Sequence, residues 1–218
     1  DVDGTSSVAL VCKYLRSNST NQISTYIPDR YDEGYGISYQ SIDYAADNEF
    51  SLVIALDCGI KAVDKISYAN NKNIDYIICD HHKPGSLIPD AIAVLDPLRD
   101  DCNYPFKHLC GCGIGFKLIQ ALDIAHDDWQ SNIENYLDLV AVAIGADIDR
   151  VATGVRPTGV VPSALAVSRG TDEAIRAALN KSPIPPDAQA RQLKETLTDG
   201  QIKQCILLAN IDTVADFY

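Results

Sequence analysis

The chain has 218 residues, 46% of them hydrophobic, which suffices for one core of ordinary size or one domain with an appendage. Residues 1–150 hold 23 acidic against 11 basic side chains and carry the whole net charge of −12, while residues 151–218 hold seven of each, so the first part has no basic surface for gripping a nucleic acid. No apolar run reaches the ~18 residues of a membrane span, and seven scattered cysteines, an odd number, fit a reduced cytoplasmic protein better than a disulfide framework.

Taken in order, Asp1 to Gly4 reads as a turn and Thr5 to Arg16 as a helix with Val8, Val11, Cys12 and Leu15 on one face. Ile23 to Ile27 is a short strand, and Pro28 to Gly36 a loop containing Arg30. Ser38 to Asn48 is helical, Ser51 to Leu56 a buried strand, Lys61 to Asn71 a helix and Asp75 to Cys79 a strand. Lys83-Pro84-Gly85 breaks the chain, and Ala91 to Leu95 is a further strand. Strand and helix alternating at this spacing imply parallel strands with right-handed crossovers. Gly111 to Gly115 precedes an amphipathic helix over Phe116 to Ala125. It is not a dinucleotide fingerprint, since no βαβ unit frames it, and its expected role is close backbone packing near the site. Asn132 to Ile144 reads as a helix apolar enough to lie on the sheet.

Beyond Arg150 the texture changes. Pro157, Pro162, Pro183, Pro185 and Pro186 punctuate small-residue stretches, with helical patterns at 171–180, 187–197 and 200–209. The predicted architecture is therefore α/β: an open, mostly parallel sheet flanked by helices over residues 1–149, followed by a small, mainly helical segment over 150–218.

Chemistry concentrates where apolar segments end. Ile74 to Cys79 runs into Asp80-His81-His82, Leu52 to Leu56 into Asp57, and Leu139 to Ile144 is followed by Asp147; the chain start supplies Asp1 and Asp3. Ligands of open α/β sheets bind at the carboxyl ends of strands. Converging carboxylates repel one another unless a cation lies between them, and carboxylate with imidazole suits a divalent metal such as manganese. Taken singly, the same features also fit a polar turn at Asp80-His81-His82, a surface arginine at Arg30 and a helix-end acid at Asp147.

In combination they resemble a known family. Asp1-Val2-Asp3-Gly4, Leu56-Asp57-Cys58-Gly59, Asp80-His81-His82 and Ala146-Asp147-Ile148, in that order, look like the DHH phosphoesterase superfamily. The stretches Tyr26 to Gly36, Ala93 to Pro97, Tyr104 to Lys107 and Gly111 to Lys117 resemble the RecJ single-stranded-DNA exonucleases. The resemblance spans about residues 1–149 and implies two bound Mn2+ or Mg2+ ions. Asp1, Asp3, Asp57, His81 and Asp147 would be metal ligands, with Asp57 bridging. His82 would contact the substrate phosphate, Asp80 would orient His81, and Arg30 would face the phosphate oxygens. The family also uses a histidine four residues before its first aspartate, and a strand there; both precede residue 1, so one metal site is expected to be a ligand short.

The implied activity is 5′-to-3′ exonuclease action on single-stranded DNA or short oligonucleotides in repair and recombination, with no membrane partner. Two alternatives stand beside it: a DHH phosphoesterase acting on dinucleotides, short oligonucleotides or pyrophosphate, and an inactive DHH scaffold.

Overall fold

A computed structural model of the chain describes residues 2–29, 31–125 and 133–146 and the strand formed by 204–209. Its centre is a five-stranded, all-parallel sheet in the order β1-β5-β2-β3-β4. The strands are β1 (Gln22–Tyr26), β2 (Leu52–Leu56), β3 (Asp75–Cys79), β4 (Ala93–Leu95) and β5 (Gln204–Ala209). The helices are α1 (Val2–Asn18), α2 (Tyr39–Asp47), α3 (Val63–Asn71), α4 (Gly111–Ala125) and α5 (Leu137–Ala146), the last preceded by a 3-10 turn at Ile133–Tyr136.

Alternation along each strand divides the core between the two sheet faces. Leu52, Ile54, Leu56, Ile77, Cys79, Ala93 and Leu95 pack with α1, α4 and α5, including Leu10, Val11, Tyr14, Leu118 and Val140. Val53, Ala55, Tyr76, Ile78 and Val94 pack with the α2 and α3 side, including Ile42, Ala45, Ile66 and Ala69. Strands buried on both faces are continuous apolar runs, as in Leu52-Val53-Ile54-Ala55-Leu56. No described helix is long and apolar enough to cross a membrane, and Cys12, Cys58, Cys79, Cys102, Cys110 and Cys112 are free thiols.

The register sets up the site. Leu56 pairs with Cys79 and Cys79 with Leu95. The next residue of each strand is an acid, so Asp57, Asp80 and Asp96 stand in one row at the carboxyl edge.

Four expectations are corrected. Helix α1 is already formed at Val2, so Asp3 and Gly4 lie in its first turn and not in a preceding turn; an acid in a first helical turn is favoured by the helix dipole. The glycine string is the first turns of α4 and not a lead-in to it. It is helical because small side chains let α4 approach closely: a Cβ on Gly115 would stand 3.2 Å from Val11 Cγ2. The helix expected over 132–144 is a 3-10 turn followed by α5. Finally, 204–209 is a strand where a helix was expected over 200–209. Cys205 to Ala209 is a short continuous apolar run, the pattern that periodicity alone cannot assign to helix or buried strand. The helices expected over 171–180 and 187–197 lie outside the described residues, as do Asp1, Arg30 and Asp147.

Candidate metal centre

Three elements bring the described acids together. Asp57 closes β2 in the left-handed region, at φ 61°, a conformation aspartate tolerates better than most residues and one that clusters at functional sites. Its N–H donates to Cys79 O, so the turn after β2 is tied to the end of β3. Asp3 comes from α1. Its two carboxylate oxygens accept the N–H groups of Gly111 and Cys112 at 2.6 and 2.7 Å, so it caps the N-terminus of α4. That brings α4 against Asp57: a Cβ on Gly111 would lie 2.6 Å from Asp57 Cβ and Oδ1. Close backbone packing, expected from the glycine string, is what position 111 requires.

His81 follows β3 by two residues. Its Nε2 lies 3.0 Å from Asp57 Oδ1 and 3.8 Å from Asp3 Oδ2. The 3.0 Å approach is an ion-pair contact without good hydrogen-bond direction: Asp57 Oδ1 is buried and receives no donor of acceptable geometry. Asp57 and Asp3 are 1% and 3% exposed. Burial, and then the charge of Asp3, push the Asp57 carboxyl up to about 6 against the pull of His81. Burial disfavours the His81 imidazolium, but the contact with Asp57 and the charges of Asp57 and Asp3 outweigh it and raise the ring above its ordinary range.

Asp80 differs from the expectation that it orients the His81 ring. Oδ1 lies 2.6 Å from His82 Nδ1 and accepts the backbone N–H groups of His81 and His82 at 2.7 and 3.1 Å. Oδ2 accepts Ile60 N–H at 2.9 Å. The ring that Asp80 engages is thus that of His82; His81 is held through its backbone. The reason is local: a turn right after Asp80 folds the ring two residues on back to the same oxygen. Burial opposes ionisation of Asp80, but the His82 ring and these N–H donors overcome it and lower the carboxyl below its usual range.

The donor set fits a divalent cation. Asp57, His81 and His82 each offer a ligand atom within 4.8 Å of the others, and Asp57 Oδ1 is a buried carboxylate oxygen without a hydrogen bond. Carboxylate and imidazole together suit manganese and its neighbours. The structure therefore brings Asp3, Asp57, Asp80, His81 and His82 to one edge; Asp1, Arg30 and Asp147 are outside the described residues.

One acid was missed. Asp96, next after β4, is 3% exposed; its Oδ1 accepts Leu98 N–H at 2.7 Å and its buried Oδ2 has no hydrogen-bond partner. Burial, and then the charge of Asp80, push it up to about 7, against Leu98 N–H, His81 and Arg99. The signal was present, since Ala93-Val94-Leu95-Asp96 repeats the pattern of an apolar strand ending in an acid.

Known proteins resemble this chain in sequence and fold. The chain is 40% identical over 148 residues to the single-stranded-DNA-specific exonuclease RecJ of Bacillus subtilis (strain 168), covering 68% of this chain and 18% of that protein. It is 34% identical over 157 residues to RecJ of Escherichia coli (strain K12), covering 68% of this chain and 27% of that protein. The chain thus spans about a fifth to a quarter of the length of these relatives. A crystal structure of exonuclease RecJ bound to manganese shares the fold, with a TM-score of 0.51 at 20% identity, over 88% of this chain and 64% of that one. Residues 1–144 match the DHH family, N-terminal domain, and with that match extending from α1 through α5 the chain belongs to the DHH family.

Proposed function

We propose that the chain is a metal-dependent phosphodiesterase that removes nucleotides from the 5′ end of single-stranded DNA, in repair and recombination in the cytoplasm. The observation that supports it most is the meeting of buried Asp57 with His81 at 3.0 Å, beside Asp3, at the carboxyl edge of the sheet. Burying two carboxylates side by side is costly unless a cation neutralises them. Relatives named as single-stranded-DNA-specific exonucleases support the choice of substrate.

Asp1, Asp3, Asp57, His81 and Asp147 would hold two Mn2+ or Mg2+ ions, with Asp57 shared between them. Such a pair supplies an activated water and stabilises the attacking and leaving oxygens of an in-line displacement. The remaining work falls to the chain. Asp80 holds His82 Nδ1 at 2.6 Å, which fixes the ring so that its Nε2 would meet a phosphate oxygen. The His82 side chain is 43% exposed, against 11% for His81, as suits a group that meets substrate and one that meets metal. Arg30 would add a second cation at the phosphate.

A second reading, hydrolysis of dinucleotides or short oligonucleotides, is favoured by the excess of 12 acidic over basic residues in 1–150, which gives this part little grip on a polymer. Digestion of 5′-labelled single-stranded DNA of 2 to about 40 nucleotides with Mn2+ tests both. Release of 5′ mononucleotides that fails in Asp57→Asn supports the proposal. No hydrolysis at any length, or loss of nucleotides only from the 3′ end, would overturn it, and a rate confined to the dinucleotide would favour the second reading.

A further inference from the structure

Glu33 ties together the described parts of the segment between β1 and α2, within which Asp29 Oδ1 also accepts the N–H groups of Tyr31 and Asp32. Glu33 Oε2 accepts Tyr26 O–H at 2.9 Å from the end of β1, and also the hydroxyl of Ser38, the N-cap of α2. Glu33 Oε1 accepts Asp29 N–H at 2.9 Å, and Glu33 N–H donates to Asp29 O at 2.7 Å. One carboxylate therefore joins the strand end, the start of the loop and the helix start. The Ser38 hydroxyl that donates to Glu33 also accepts Ser41 N–H at 2.9 Å, so the α2 capping box is built on the same hub. Burial, and then the hydrogen bond and charge of Glu33, push the Tyr26 phenol up to about 12, so it stays a donor at working pH.

The far end of this loop lies against the turn that follows Asp57. Ile37 is 1% exposed, and a Cβ on Gly59 would stand 3.1 Å from its Cδ1; a Cβ on Gly36 would stand 3.7 Å from Cys58 Cβ. Cys58 and Gly59 are the two residues after Asp57. Between these anchors Tyr31 and Tyr35 are 88% and 57% exposed. A loop pinned at Glu33 and at Ile37, with Tyr31 and Tyr35 exposed on either side of Glu33 and its far end against the Asp57 turn, is placed to touch what the site acts on.

We infer that Glu33 is a positioning residue that fixes the 27–37 loop against the Asp57 turn, so that the loop's exposed residues meet the nucleotide beyond the scissile phosphate. The inference rests on the proposed phosphodiesterase reading. Misplacing a substrate-positioning group by about 1 Å costs on the order of 100-fold in efficiency without touching the chemistry. Glu33→Ala is the test, with Glu33→Gln, which keeps one acceptor oxygen, as partial rescue.

Expected for Glu33→Ala in the full chain are faster amide exchange confined to residues 27–38, unchanged Mn2+ affinity by calorimetry, and a KM for oligonucleotide raised about tenfold or more with kcat nearly kept. Glu33→Gln should fall between. Unchanged exchange over 27–38 would overturn the inference, and so would equal losses of Mn2+ affinity and kcat, which would mark a general structural role. An unchanged KM beside accelerated exchange would also overturn it, by showing that the loop does not meet substrate. Should the unaltered chain hydrolyse no phosphodiester, the functional reading fails on its own; the same variants are then read by anisotropy of a labelled single-stranded oligonucleotide, where a Kd unchanged by Glu33→Ala overturns the inference and a weakened one sustains it.

Discussion

The two faces of the sheet support the site in different ways. On the α1, α4 and α5 face, Asp3 caps α4 and Gly111 lies against Asp57, so the acids of the candidate metal centre are fixed by backbone donors and by close packing of α4 on the turn after β2. On the α2 and α3 face, Glu33 and Ser38 hold a loop through side chains, and Tyr31, Tyr35, Tyr39 and Tyr44 are exposed there. The first arrangement leaves no space for an added Cβ at Gly111. The second leaves an aromatic surface adjustable by a few hydrogen bonds. Ligand geometry and surface presentation thus rest on separate supports, and the two should fail separately.

The largest effect should come from breaking the metal face directly. His81→Ala is expected to lower Mn2+ affinity by at least about 100-fold, since it removes the ring that meets Asp57 and Asp3. His82→Ala should leave Mn2+ affinity within about tenfold while lowering turnover by about 100-fold or more. Calorimetry with parallel rate measurements separates them. Equal loss of metal in both variants would make His82 a ligand as well, which its place among the three grouped donors permits.

Next comes Gly111→Ala, where the added Cβ would meet Asp57 Cβ and Oδ1 2.6 Å away, so α4 or the Asp57 carboxylate must shift. About 2–3 kcal/mol of stability and about tenfold in Mn2+ affinity should be lost. Gly34→Ala is the matched control on the other face. Nothing lies within 4 Å of its Cβ, but φ is +79°, so about 1 kcal/mol of backbone strain is expected with no change in metal binding. Thermal melts with and without Mn2+ distinguish the two.

Much of this was legible from residues alone, for stated reasons. Leu52 to Leu56 and Asp75 to Cys79 were readable as strands because both faces are buried, and their terminal acids marked the carboxyl edge. The α2 start was readable from Ser38, a favoured N-cap. What escaped depends on distant contacts. Nothing local shows that Asp3 caps a helix 108 residues later, or that a glycine string is helical because it packs on Val11 and Asp57. The partner of Asp80 turned on a ring rotamer, which spacing does not encode. Asp96 was overlooked although Ala91 to Leu95 was readable as a strand, because only the register of β4 against β3 puts it level with Asp80.

The smallest effect sharpens the comparison through pH. Asp96 stands in the acid row, and its carboxyl is pushed up to about 7 chiefly by burial. In the unfolded chain it titrates near 3.8. Between those values the folded state holds a proton that the unfolded state has released. Its contribution to stability is therefore full below about pH 4 and is lost as pH rises through 7. Asp57, raised to about 6, and His81, raised above its ordinary range, slope the same way. Asp96→Asn keeps the shape and removes one titration, so the metal-free chain should still lose stability from pH 5 to 8, but less steeply. The difference should be on the order of 1 kcal/mol, because effective screening near even buried sites is strong. Melts in chelator at pH 5, 6, 7 and 8 measure it. A variant whose slope equals that of the unaltered chain would show that Asp96 is ionised throughout, and that a cation or solvent reaches its second oxygen. Mn2+ should flatten both curves, since ionised Asp57 then gains a partner, and the α2-side variant Gly34→Ala should leave the slope unchanged.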